Sequence, residues 1–133
     1  MPSDLDVHVM ASSPTQRSIA HCKALGQTVA IVEHWNPHAH IRQDLFGCID
    51  LLVLDDQQGP IGVQACASAS HAARRTKSIN EPRLRHWLAS GARFQVWSWG
   101  KRVRLDKRGT KRKLWTLRVE HIFLNDLPDE IDL

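Results

Sequence analysis

The chain has 133 residues, 42% hydrophobic and 24% charged, with a net charge of +4, an ordinary balance for a single domain with its own core. No apolar run approaches the ~20 residues that cross a bilayer, and the opening MPSDLDVHVMASSP lacks the basic start and apolar stretch of a signal peptide. Cys22, Cys48 and Cys66 form neither an even-numbered framework nor a CxxC pair, so free thiols in a reducing, cytoplasmic setting are expected.

Residues 1–14 read as an irregular start. In SPTQRSIAHCKALGQ (13–27) Ser13 or Thr15 can cap a helix, Ile19, Cys22 and Leu25 form its apolar stripe, and Gly26 suits its stop. The short, β-branched TVAIVEHW (28–35) predicts a first strand, and NPHAHIRQD (36–44) a polar loop. GCIDLLVL (47–54) is a second strand, apolar on both faces and so central in its sheet. DDQQGP is a turn and IGVQACA (61–67) a third strand. SHAARRTKSINEPRLRHWLASG (70–91) reads as helical with a break at 80–82, where Pro82 opens a second piece that Gly91 ends. RFQVWSWGK (93–101) and KRKLWTLRVEHIFL (111–124) are strands four and five, and the turn between them is basic. The order α-β-β-β-α-β-β predicts one α/β domain, residues 1–133, around a mixed sheet.

Polar side chains interrupt these strands. Asp50 and Gln64 occupy positions where apolar residues belong, and a desolvated carboxylate needs a partner. If strands two and three are neighbours, the two side chains converge and offer oxygen ligands for Mg²⁺. The alternative is that Asp50 pairs with Arg42 and Gln64 satisfies a backbone group. Glu33 is a further charge in an apolar strand, either a third ligand or a guard on an edge strand. His34, His38 and His40 raise zinc as a rival metal, although no HExxH helix accompanies them. Trp97 and Trp99 share a face with Gln95, while Trp87 and Trp115 read as core anchors. Trp99 abuts the basic turn, where it could stack on an unpaired base.

Charge is concentrated at 101–113, which holds eight Lys/Arg against one Asp, whereas the tail NDLPDEIDL is acidic. Such asymmetry suits a polyanion, because neutralising phosphates needs cations on one surface.

The stretches VEHWNP, IRQDLFGCIDLLVL, IGVQACAS, HAARRTKS and RKLWTLRV, in this order, resemble the PD-(D/E)XK nuclease superfamily. The likeness covers about residues 15–121 and points to small phage- and bacterium-borne nucleases related to Holliday junction resolvases and VRR-type nucleases. It implies a restriction-endonuclease-like αβββαβ core with a mixed central β-sheet. The implied activity is Mg²⁺-dependent hydrolysis of DNA phosphodiester bonds, with Mn²⁺ substituting, selective for branched DNA and carried out by a homodimer. Carried over, Glu33, Asp50 and Gln64 are the metal ligands. Cys66 stands where the superfamily usually has a lysine, and a thiol cannot act as a point charge. Lys77 is the candidate substitute, ahead of Arg74 and Arg75.

For the DNA backbone the candidates are Arg42, His71, Arg74 and Arg75, with Lys101, Arg102, Arg104, Lys107, Arg108, Lys111, Arg112 and Lys113 on the basic turn. His71 is read as contacting phosphate or the hydrolytic water, or as a polar helix start. Two other readings stand beside the enzyme: a catalytically weakened nuclease fold that only binds DNA, and an oligomeric adaptor whose basic turn meets an acidic protein.

Overall fold

Ser13 starts the first helix. Its Oγ accepts from the Gln16 amide and the Gln16 side chain accepts from the Ser13 amide, both at 3.1 Å, a reciprocal cap that selects Ser13 over Thr15 and leaves Pro14 at the first helical position. The computed structural model describes residues 12–129, so most of the expected irregular start and the end of the acidic tail lie outside the described residues. Helix α1 (Pro14–Ala24) ends before Gly26, whose φ of +74° suits glycine.

Five strands form the central sheet in the order β1-β4-β5-β6-β7: β1 (Thr28–Ile31), β4 (Leu51–Asp55), β5 (Gly59–Ala67), β6 (Arg93–Leu105) and β7 (Lys111–Ile122). Only β5 and β6 run parallel; the other pairs are antiparallel. The β5–β6 crossover carries α2 (His71–Ile79) and α3 (Pro82–Ala89), separated by the expected break. The described residues therefore form an α/β fold with a mixed five-stranded sheet and three α-helices.

Three expectations about the strands need correction. The first strand divides: β1 leaves the sheet after Ile31, and β2 (His34–Asn36) pairs instead with β3 (Ile41–Gln43) as a separate ribbon. Asn36 Oδ1 closes that hairpin by accepting from His38 and Ala39 at 2.9 and 3.1 Å, so the expected polar loop is a hairpin turn and its return strand. The second strand begins at Leu51 rather than Gly47, because residues 45–49 fold into a tight turn.

The sheet is covered on both faces. Leu51, Val53, Ile61, Val63 and Trp97 pack with Cys22 of α1. On the other face Ile49, Cys66, Phe94, Val96 and Leu84 pack together, with Trp87 against them. Pairing of β5 with β6 ends at Ala67↔Trp99, whereas β6 and β7 stay paired to Leu105↔Lys111. Residues 100–105 and 111–116 consequently project beyond the sheet as a two-stranded ribbon. Trp115 sits on this ribbon and is 44% exposed, so it is not the core anchor its size suggested.

Candidate functional site

The site forms where β4 begins. Leu45 and Ile49 bridge across a tight turn, with amide-to-carbonyl bonds of 2.9 and 3.0 Å in each direction. Within it Phe46 and Gly47 take φ of +52° and +78°, a left-handed pair in which Phe46 is strained. One step outward from the bridge, the antiparallel register sets Asp44 opposite Asp50. Sequence reasoning missed Asp44. Its signal was an acid six residues before Asp50 across a Phe-Gly turn, but the pairing follows only from the turn's backbone geometry.

Asp50 is fixed from three directions. Its amide donates to the Val63 carbonyl at 2.8 Å, its carbonyl accepts from Val32 at 2.9 Å, and its Oδ2 accepts from the Ala65 amide at 2.9 Å. The Val32 bond anchors the chain where it leaves β1, and Glu33 follows directly. Among the described residues, one ligand oxygen each from Glu33, Asp44 and Asp50 lie within 4.8 Å of one another. Gln64, fully buried on β5, donates its amide to Asp44 Oδ2 at 3.3 Å, while its Oε1 is buried without a partner among the described residues. Burial, then the hydrogen bond and charge of Asp44, push the Asp50 carboxyl up to about 7, against the Ala65 and Gln64 hydrogen bonds that favour its charged form.

This donor set fits a hard divalent cation. Three carboxylates and an orphaned amide oxygen are the ligand chemistry of Mg²⁺ or Mn²⁺, and a cation there would relieve both the repulsion and the unpaired oxygen. His34, His38 and His40 do not join the carboxylate group. Cys66, placed at the site by the sequence, is 4% exposed in the apolar cluster behind Gln64, where burial pushes its thiol up. It fills the core and offers no charge.

Helix α2 and strand β3 supply the cations. Lys77 Nζ stands 3.6 Å from Asp44 Oδ2, and Arg42 Nη1 on β3 stands 3.8 Å from Glu33 Oε1. With Arg74 they line an open cavity of about 680 Å³ over the carboxylates. Arg75 instead faces Glu120, Nε to Oε2 at 2.7 Å. His71 is 3% exposed, with Nδ1 2.6 Å from Ser98 Oγ and Nε2 2.8 Å from Glu120 Oε1. The expectation that His71 meets phosphate is corrected: it lies on the sheet-facing side of α2, with Ser78 two turns on, and pins the helix to β6 and β7. Neither Ser98 nor Glu120 was singled out from sequence.

The basic residues 101–113 lie on the projecting ribbon. By strand alternation Arg102, Arg104 and Arg112 share the face of Ser98 and the carboxylates, while Lys101, Lys111 and Lys113 share the face of Trp99 and Trp115. Compared with family models, curated proteins and solved structures, the chain matches none of them.

Proposed function

We propose that this protein is a Mg²⁺-dependent endonuclease that hydrolyses phosphodiester bonds in branched DNA, on a restriction-endonuclease-like αβββαβ core and as a homodimer that presents two matched sites. One observation carries the reading: Glu33, Asp44 and Asp50 converge within 4.8 Å beside the orphaned Gln64 oxygen, with Lys77 at their rim. Glu33, Asp44, Asp50 and Gln64 would hold the ion. When bound, it neutralises charge on the scissile phosphate and lowers the pKa of a coordinated water.

The chain's own groups do the rest. Lys77 reaches the site from α2 and takes the place of the lysine that Cys66 cannot supply, orienting the attacking water and offsetting developing negative charge. Arg42 and Arg74 flank the cavity, where they bind the phosphates on either side. The ribbon's cations add affinity through the phosphate backbone, which every sequence shares.

Incubating a labelled four-way junction with Mg²⁺ or Mn²⁺ tests this. Wild-type protein is expected to cut it, and Asp50→Ala and Asp44→Ala to lose about three orders of magnitude in rate. Cleavage by Asp50→Ala at the wild-type rate overturns the assignment. A second reading, a nuclease fold that binds DNA without cutting, is favoured by Cys66 in the lysine position. Tight junction binding with no cleavage in either metal selects it.

A further inference from the structure

On the sheet face opposite the carboxylates, a second cleft of about 640 Å³ opens between the start of α1 and the root of the ribbon. Gln16, Arg17, His21, Trp99 and Trp115 line it, and among the described residues no carboxylate does. It lies at the carboxylate end of the sheet. Just past the far end of α1, Gln27 donates to Asp55 at the end of β4 at 2.8 Å. The near end bonds to the ribbon root, Trp99 Nε1 to Ser18 Oγ at 3.0 Å, and Trp99 pairs with Ala67 just beyond Gln64.

The lining has an unusual chemistry for a surface cleft. The Arg17 guanidinium lies 3.4 Å from the Trp115 ring centroid, and Lys101 Nζ lies 5.3 Å from the same ring. Among the described residues Arg17 Nε is buried with no hydrogen-bond partner, a desolvated donor that an anion would satisfy. Trp99 forms the floor at 9% exposure, and Trp115 offers an open ring at 44%. A π-surface, a stacked guanidinium and a second cation together match a nucleotide, whose base stacks and whose phosphate takes the charge. Bases inside a duplex have their faces covered and cannot use such a platform. Beyond the cleft, Lys113 and Lys111 continue along the same ribbon face, so the phosphates of a strand, rather than of one free nucleotide, find partners.

We propose that this cleft holds an unpaired nucleotide of a single-stranded segment, with its base on the Trp115–Arg17 stack and its phosphates against Arg17 and Lys101. The inference rests on the nucleic-acid reading of the protein and adds where the unpaired arm of a branched substrate goes. A strand leaving the carboxylates rounds the end of the sheet and is gripped on the opposite face.

Titration of a fluorescein-labelled oligothymidylate of about 12 nucleotides, read by anisotropy and by quenching of tryptophan fluorescence, tests it. Trp115→Ala is expected to weaken binding about ten-fold, Trp115→Phe to restore most of it, and Arg17→Gln to weaken it by a similar factor. The loss for a blunt duplex should be several-fold smaller. Oligothymidylate affinity unchanged in both Trp115→Ala and Arg17→Gln, with melting temperatures equal to wild type, overturns the proposal. So does thymidine monophosphate competing as well as the oligomer, which would mark a free-nucleotide site. Because the titration is run in EDTA, it does not depend on cleavage: a protein that cuts no junction can still pass, and one that cuts can fail.

Discussion

A carboxylate at the buried start of β4 opposes folding on its own account. Asp50 is 5% exposed and stands beside Asp44 and Glu33, so its charge suffers both desolvation and like-charge repulsion. Asparagine keeps the shape and the acceptor for the Ala65 amide while removing the charge. In EDTA at pH 8, Asp50→Asn is therefore expected to be more stable than wild type by about 1–2 kcal/mol. Adding Mg²⁺ should raise the wild-type melting temperature by mass action and leave that of Asp50→Asn nearly still. Thermal melts with and without the cation read both effects, and a variant less stable than wild type in EDTA would make Asp50 a structural residue. Asp50 and Gln64 were legible in the sequence because an ionised group and an amide in an apolar strand have no use in a core. Asp44 was not, because its position depends on φ at Phe46 and Gly47. A Cβ at Gly47 would also run into the Glu81 carboxylate. Gly47→Ala is expected to cost about 1–2 kcal/mol and to shrink the Mg²⁺-induced rise in melting temperature, since it displaces Asp44 without touching a ligand.

Helix α2 matters because it carries Lys77 and Arg74 to the cavity, and its grip on the sheet is polar. His71 meets Ser98 and Glu120, and Arg75 closes on the second Glu120 oxygen at 2.7 Å. Burial works against the Glu120 charge, but the hydrogen bonds and charges of His71 and Arg75 outweigh it and hold the carboxyl below its usual range. A carboxylate depressed in the folded state stabilises above its unfolded pKa, about 4.3, and that contribution is lost as pH falls through the lower folded value. Urea unfolding should show Glu120→Gln less stable than wild type at pH 7, by about 1 kcal/mol given its partial exposure, with the gap closing near pH 3. An equal gap at both pH values would place the contribution in hydrogen bonding rather than charge. From sequence, the helix itself was legible through the break at Asn80–Pro82 that ends it and opens α3, yet the burial of His71 was not. A histidine opening a helix after a strand reads as solvated; how far the helix lies over β6 is decided by tertiary packing. The split of the first strand is similar. Asn36 and Pro37 announced a turn, but only pairing partners reveal whether a turn joins strands or ends them.

At the scale of the molecule, the ribbon decides how the two clefts relate. Its basic composition was plain in the sequence. That it stands clear of the sheet was not, because this follows from β5 ending at Ala67 while β6 runs on to Leu105. Projection turns simple alternation into two exposed faces. Arg102, Arg104 and Arg112 continue the carboxylate side, whereas Lys101, Lys111 and Lys113 continue the Trp115 side. If duplex lies over the carboxylates and the unpaired arm over Trp115, each face should govern one substrate. Replacing Arg102, Arg104 and Arg112 together with glutamine is expected to weaken blunt-duplex binding and to lower the slope of log affinity against log salt by about 2–3, roughly one for each phosphate no longer neutralised. The same variant should keep most of its affinity for oligothymidylate, where the single-strand slope should fall by less than about 1. Replacing Lys101, Lys111 and Lys113 should invert the pattern. Binding titrations at four or five salt concentrations separate the cases, because equal losses on both substrates from either triple variant would mean that the ribbon acts as one diffuse positive charge and that its two faces do no separate work.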